Sequence, residues 1–307
     1  MSLDRAGLRR LLAVGAPESQ RPTEVRRGDV EHHAGVDIER IELVAADRVV
    51  PALLLTTSPP PWPAAVVAVH QHNGRFDLGK SEPAGLAGDP EMAYGLRVAA
   101  TGIPVIVPDL SGFEERMPAS GDPAAAEQQT AWELVAGGLT LQGRHSDDVS
   151  LAVSWLIDEA GVDGPVGVIG HSLGGQVSLF TMAVDPRIRA GVVSCGAGSI
   201  ASFGPAGVFH NPAYYVPGIL PAGDLPAVAA TLHGQSLLVL AGDDDPLFPA
   251  DGVDAVVARL DPERTDVIRF SGGHAFPLTL QLAAITWLAE TLTAPDGQLP
   301  AGEERTT

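Results

Sequence analysis

Val166-Gly167-Val168-Ile169-Gly170-His171-Ser172-Leu173-Gly174-Gly175 passes from a short β-branched run, through a glycine-rich turn, into helix-forming sequence. Its centre, Gly170-His171-Ser172-Leu173-Gly174, fits G-x-S-x-G. In that pattern a serine sits on a turn so tight that side chains two residues before and after it would strike neighbouring chain. The turn lifts the hydroxyl above a sheet edge and sets it at a helix N-terminus, whose partial positive charge favours a developing oxyanion. The stretch therefore predicts a strand, a sharp turn carrying a nucleophile at Ser172, and a helix.

The same rhythm extends in both directions. Apolar runs at 65–69, 103–107, 191–194, 237–241 and 267–270 are short and do not alternate, as strands of a parallel sheet covered on both faces should read. Helical patterns lie between them, at about 91–101, 127–137, 146–160, 174–184, 251–260 and 277–293. Strand–helix alternation at this spacing predicts right-handed crossovers and a doubly wound, mostly parallel α/β sheet. Two alternating runs, 38–45 and 49–56, predict antiparallel strands ahead of it. The expected organisation is an N-terminal helical extension over 1–37 with a helix at 5–14, an α/β domain over 38–294, and a flexible tail over 295–307. Residues 197–234 break the rhythm. Rich in Gly and Pro and carrying Phe203, Phe209, Tyr214 and Tyr215, they read as a lid or substrate-binding insertion.

A serine hydroxyl needs a base to take its proton. The partners of an elbow serine follow it in the order acid, then histidine, each after a strand. Gly242 ends an apolar run and is followed by Asp243, Asp244 and Asp245. Asp245 is the preferred acid because the loop resembles G-x-x-D-x-x-x-P in related chains, which places the acid three residues after that glycine; Asp243 and Asp244 are read as solvated loop acids or helpers in turn hydrogen bonding. His274, in Ser271-Gly272-Gly273-His274, follows the last strand and is the candidate general base. Two backbone donors are expected for an oxyanion: Leu173 N–H, directly after the serine, and His72 N–H from the loop His70-Gln71-His72-Asn73-Gly74, with Gln71 as the alternative. His70 and His72 also have the look of a metal pair, but no third ligand stands in register, so no metal is expected.

Composition narrows the partners. The chain has 307 residues, 45% hydrophobic and 19% charged, enough to bury a sizeable core. Its 38 acidic residues against 19 basic ones give a net charge of −19, which disfavours nucleic acid and anionic membranes. Cys195 is the single cysteine, so neither an internal disulfide nor a cysteine-rich zinc site can form. Met1-Ser2-Leu3-Asp4 places acid where a signal peptide needs base, and Leu11-Leu12-Ala13-Val14 is short for a signal core. No apolar run approaches the roughly 18 residues of a membrane span. A cytoplasmic protein is expected. The Arg-rich N-terminal helix could dock on its own chain or on a second copy, so a homodimer is an open expectation.

Taken together, these residues resemble the α/β-hydrolase superfamily, and within it the dienelactone hydrolase-like and acetyl xylan esterase-like serine hydrolases. The likeness spans roughly 38–293. It rests on His70 to Gly74 with Leu78-Gly79-Lys80-Ser81-Glu82-Pro83, on Val107 to Phe113, on the serine elbow, on Gly242 to Pro249, and on Gly273-His274. It implies the α/β-hydrolase fold and a cofactor-free esterase working through an acyl-enzyme on a small or medium carboxylic ester. An amide or carbon–carbon bond hydrolase, or an acyltransferase, using the same three residues is the alternative. Two departures stand out: Ser172 replaces the cysteine nucleophile of true dienelactone hydrolases, and His70-Gln71-His72 replaces the more usual His-Gly pair. Gln71, Lys80, Phe203, Tyr214 and Tyr215 are the candidate substrate-binding residues, with a salt-bridged structural role an equal alternative for Lys80, as for Glu82.

Overall fold

A computed structural model describes residues 3–119 and 121–294; the tail expected over 295–307 lies outside the described residues. Nine strands, β1 (Glu24–His33), β2 (Val36–Val44), β3 (Val49–Thr56), β4 (Ala65–Val69), β5 (Val105–Pro108), β6 (Val166–His171), β7 (Ile188–Ser194), β8 (Ser236–Gly242) and β9 (Thr265–Phe270), form one sheet. Their spatial order is β1-β2-β3-β5-β4-β6-β7-β8-β9. The first three and their junction with β5 are antiparallel, and every pairing from β5 to β9 is parallel.

Packing on both faces explains why the parallel strands do not alternate in sequence. In β4, Ala65, Val67 and Val69 enter a core with Leu8 and Leu12 of α1 (Arg5–Leu12), Val149 and Val153 of α4 (Leu141–Asp158), and Val177 and Phe180 of α5 (Leu173–Val184). Val66 and Ala68 face a second core built by Tyr94 and Val98 of α2 (Tyr94–Ala100) with Ile285 and Leu288 of α10 (Leu278–Thr293). Each face is dry, so each position is apolar.

The region before residue 38 differs from the expected helical extension. Among the described residues only α1 is a regular α-helix there, and Glu24–His33 pairs with β2 as the outermost strand. Nearly all of β1 is exposed, so no hydrophobic alternation marks it. It is held by backbone pairing and by ion pairs such as Arg26–Glu42 at 3.2 Å and Arg27–Glu39 at 2.9 Å. Charge of this kind also guards a sheet edge against pairing with another chain. α1 packs on its own chain: Arg5 Nε donates to the Ala183 carbonyl at 3.0 Å and Arg9 Nε to the Val184 carbonyl at 2.9 Å. Both guanidinium groups thus sit at the C-terminal end of α5, where cations are favoured.

Between β7 and β8 the long excursion holds α6 (Ile200–Ala206), α7 (Ile219–Ala222) and α8 (Asp224–Ala229). The Asp224 carboxylate ties its two ends together by accepting from Ser199 Oγ at 2.6 Å and from the backbone N–H groups of Ile200 and Ala201 at 3.1 and 3.0 Å. The connection between β5 and β6 contributes α3 (Pro123–Ala136), and α9 (Ala250–Val257) follows β8. Among the described residues, no helix is long and apolar enough to cross a membrane.

Candidate active site

Ser172 stands between β6 and α5 with φ 55° and ψ −119°. The two glycines around it are required by contact. A Cβ on Gly170 would lie 2.3 Å from the Gly174 carbonyl carbon and oxygen, and one on Gly174 would lie 1.9 Å from the Val69 carbonyl oxygen. The strained turn is held by Ser172 N–H, which donates to the Ser194 carbonyl of β7 at 2.9 Å.

Two loops at the same sheet edge meet the serine. His274 Nε2 lies 2.8 Å from Ser172 Oγ, and His274 Nδ1 lies 2.9 Å from Asp245 Oδ2. An ionised carboxylate only accepts, so Nδ1 carries the proton and Nε2 is left to accept from the serine hydroxyl. Asp245 Oδ1 accepts from the N–H groups of Leu247 and Phe248 at 2.8 and 3.2 Å. Burial pushes the Asp245 carboxyl up, but His274, the Leu247 N–H and the Cys195 thiol outweigh it and hold the group below its ordinary value. Asp243 and Asp244 are exposed. Their backbone N–H groups donate to Phe270 and Gly272 carbonyls, both at 2.9 Å, which laces the acid loop to the histidine loop.

Rings fix the imidazole. Phe248 stacks on His274 with centroids 5.6 Å apart, and His171 lies 4.9 Å from it. Burial lowers His171 to about 3, so a neutral ring is presented to His274. Cys195 Sγ, Asp245 and His274 could offer ligand atoms within 4.8 Å of one another. The thiol, however, is pushed up to about 12, first by burial and then by the Asp245 charge, and the other two groups are already bonded to each other.

The loop after β4 is pinned by His70. Its Nε2 accepts from Leu110 N–H at 3.0 Å, so its Nδ1–H donates to the Gln71 carbonyl at 2.9 Å. Burial lowers this ring to about 4, keeping it neutral. The peptide joining Gln71 to His72 is thereby oriented, since its N–H points opposite to its carbonyl. Leu173 N–H is at the first position of α5, where the helix supplies no acceptor for it. His72 Nε2 lies 3.2 Å from Glu127 Oε2.

A cleft of about 530 Å³ opens over Ser172 and His274, and Gln71, His72, Phe209 and Asn211 are among its walls. Of the candidate substrate residues, only Gln71 is on it, with its amide turned to donate to Glu82 Oε2 at 2.9 Å. Lys80 is buried away from the cleft, in ion pairs with Glu114 at 2.6 Å, Glu115 at 2.8 Å and Asp109 at 3.6 Å. Phe203 and Tyr214 are buried in an aromatic seam beneath the excursion, and the Tyr214 hydroxyl donates to the Gly196 carbonyl at 2.8 Å. Tyr215 faces solvent, its hydroxyl accepting from His210 N–H at 3.3 Å. These four are corrected accordingly: Lys80 is held in ion pairs, Phe203 and Tyr214 in the excursion's own packing, and Tyr215 lies at the surface. The residues the excursion does turn to the cleft, Phe209, His210 and Asn211, were missed, although the run Phe209-His210-Asn211-Pro212 is the polar interruption of that aromatic segment. Glu127 was missed too.

No family model matches the chain. In sequence it is 25% identical over 242 residues, 74% of this chain and 78% of the relative, to a Bacillus subtilis (strain 168) protein named "Putative hydrolase YtaP". In structure it is similar to acetyl xylan esterase 1 from Thermoanaerobacterium sp. JW/SL YS485, with a TM-score of 0.68 and 15% identity over 94% of this chain and 92% of that one. It is similar also to a glucuronoyl esterase from Solibacter usitatus, with a TM-score of 0.62 and 14% identity over 92% of this chain and 91% of that one. What the chain has in common with these structures is its architecture, and that architecture is the α/β-hydrolase fold.

Proposed function

We propose that the chain is a serine hydrolase that cleaves a small or medium carboxylic ester through an acyl-enzyme. The observation that carries this reading is the continuous hydrogen-bonded line Asp245–His274–Ser172, with links of 2.9 and 2.8 Å. On it, His274 Nε2 takes the hydroxyl proton as Ser172 Oγ attacks the ester carbonyl carbon. Asp245 holds the tautomer and stabilises the imidazolium, which then returns the proton to the departing alkoxide. Water, activated by the same histidine, releases the acid from the serine. The negative charge that forms on the carbonyl oxygen is received by the N–H groups of Leu173 and His72, the second fixed by His70. Residues 197–234 form the roof of the cleft and contact the acyl or alcohol group.

Fluorophosphonate labelling and turnover of p-nitrophenyl acetate test the reading together. Wild-type chain should take one label and release a burst of p-nitrophenol. Ser172→Ala should take none, and Asp245→Asn should lose about 10⁴-fold in kcat. Label retained in Ser172→Ala would remove the serine from its role. Turnover of amides or diketones far above esters would shift the reaction to the alternative bond.

A further inference from the structure

α3 carries the wall of the cleft outward. Gln128 lines the cleft, and Trp132 and Val135 follow it at i+4 and i+7, the spacing that keeps side chains on one side of a helix. Both are uncovered: Trp132 is 63% exposed and Val135 46%. Phe209 and Leu247 stand exposed at the same opening. α3 packs against the Pro212–Tyr214 turn of the excursion, so helix and roof form one rim.

That rim is nearly free of charge. Of Asp, Glu, Lys and Arg, α3 and residues 197–234 together contain only Glu127, Glu133 and Asp224. Glu127 and Asp224 are buried. Glu133 is exposed, but it stands five residues from Gln128, about 140° around the helix. On a chain of net charge −19, such a gap sets this surface apart. Large apolar side chains left uncovered without charges among them mark a face that meets an apolar partner.

The place of the face identifies the partner. It borders the opening through which Ser172 is reached, so a protein seated on it, a second copy of this chain included, would block the cleft. Reactant can cover the rim and leave the site in use. An anionic surface is repelled by the chain, and neither α3 nor residues 197–234 hold a Lys or Arg to offset this. A neutral surface meets the rim without burying an unpaired charge.

We propose that this rim docks on the surface of a neutral, sparingly soluble ester phase, with Trp132, Val135 and Phe209 seated in it while single esters enter the cleft. This rests on the ester-hydrolase reading above. It adds the state in which substrate is met: uncharged and aggregated.

Two measurements separate docking from chemistry. The first is pH-stat turnover of tributyrin from below to above its solubility limit. In wild type the rate should climb again as the limit is crossed. In Trp132→Glu/Val135→Glu, turnover of the emulsion should fall about 10- to 100-fold, while kcat/KM for dissolved p-nitrophenyl acetate should change less than about 2-fold. Trp132→Phe, which keeps the rim apolar, should retain emulsion turnover. The second is tryptophan emission on adding neutral micelles of octaethylene glycol monododecyl ether. Trp62, Trp155 and Trp287 are buried, so a shift to shorter wavelength reads Trp132 and should vanish in Trp132→Phe. Melting temperatures show whether the fold persists, with Trp132→Gln/Val135→Gln as the replacement should Glu disturb the helix. Emulsion turnover unchanged in the double variant, or no micelle shift in wild type, overturns the docking face and leaves the hydrolase reading standing. A wild-type dimer in sedimentation velocity that the double variant dissociates overturns it in favour of a second copy. Absence of both fluorophosphonate labelling and dissolved-ester turnover removes the hydrolase reading and the substrate with it, even where the micelle shift remains.

Discussion

Cys195 lies beside the acid and the base, yet its thiol is held up at about 12, first by burial and then by the Asp245 charge. Thiolate is the reactive form, so the native chain should resist iodoacetamide at pH 8 and be alkylated at Cys195 only after unfolding. Mass spectrometry reads this directly; rapid alkylation of the folded protein would contradict the burial argument. Gly174 makes a sterner claim. Because an added Cβ would fall 1.9 Å from the Val69 carbonyl oxygen, Gly174→Ala should destabilise by about 3 kcal/mol or more and abolish fluorophosphonate labelling; a variant with wild-type melting temperature would mean that β4 yields at little cost. At this scale the sequence was informative wherever backbone geometry dictates the residue. The meeting of Ser172, Asp245 and His274 was legible because each follows a strand and is flanked by glycine or turn residues. Glu127 was not, since an acid in a helix reads the same whether solvated or buried, and only the packing of α3 against His72 separates the two. Lys80 was readable either as a site residue or as a salt-bridged one, and the sequence could not choose because its partners Glu114 and Glu115 lie 34 and 35 positions on in the chain.

The excursion between β7 and β8 was legible as an element but not in its orientation. Composition marked it, and its aromatics suggested substrate contact. Instead Phe203, Tyr214 and Phe248 surround His210, with ring centroids 4.2, 4.7 and 4.7 Å from it. Burial lowers His210 to about 4, so the ring stays neutral while bonded to the Leu247 carbonyl at 2.7 Å. Phe209 is left 90% exposed at the cleft. Phe209→Ala should therefore lower kcat/KM for hexanoyl or phenyl-bearing esters by about 3- to 10-fold with a smaller effect on acetate, measured across a chain-length series. An equal effect on all lengths would place Phe209 outside the acyl or alcohol path. β1 escaped sequence reading altogether, because a strand that buries nothing leaves no period-2 signature.

For the whole molecule, buried titratable groups set the response to acid. Burial lowers His70 and His210 to about 4 and His145 and His171 to about 3. Each stays neutral when folded and binds a proton when unfolded below its ordinary value of 6.5. Unfolding therefore takes up protons, and stability falls as pH drops through the window from 6.5 towards about 4. Asp109 and Asp147, both raised to about 7 chiefly by burial, act in the opposite sense. With four histidines against two carboxyls, the melting temperature should drop on acidification across that window. A flat or rising profile would contradict the balance. Both ring nitrogens of His145 lack a partner among the described residues, so His145→Leu should raise the melting temperature, more at pH 5 than at pH 8.

The seam of rings beneath the roof has one more effect. His210 rests on Phe248, Phe248 stacks on His274, and the Phe248 N–H is one of the two that hold Asp245. Phe248 therefore serves both partners of Ser172 at once, its ring bracing the base while its own backbone steadies the acid.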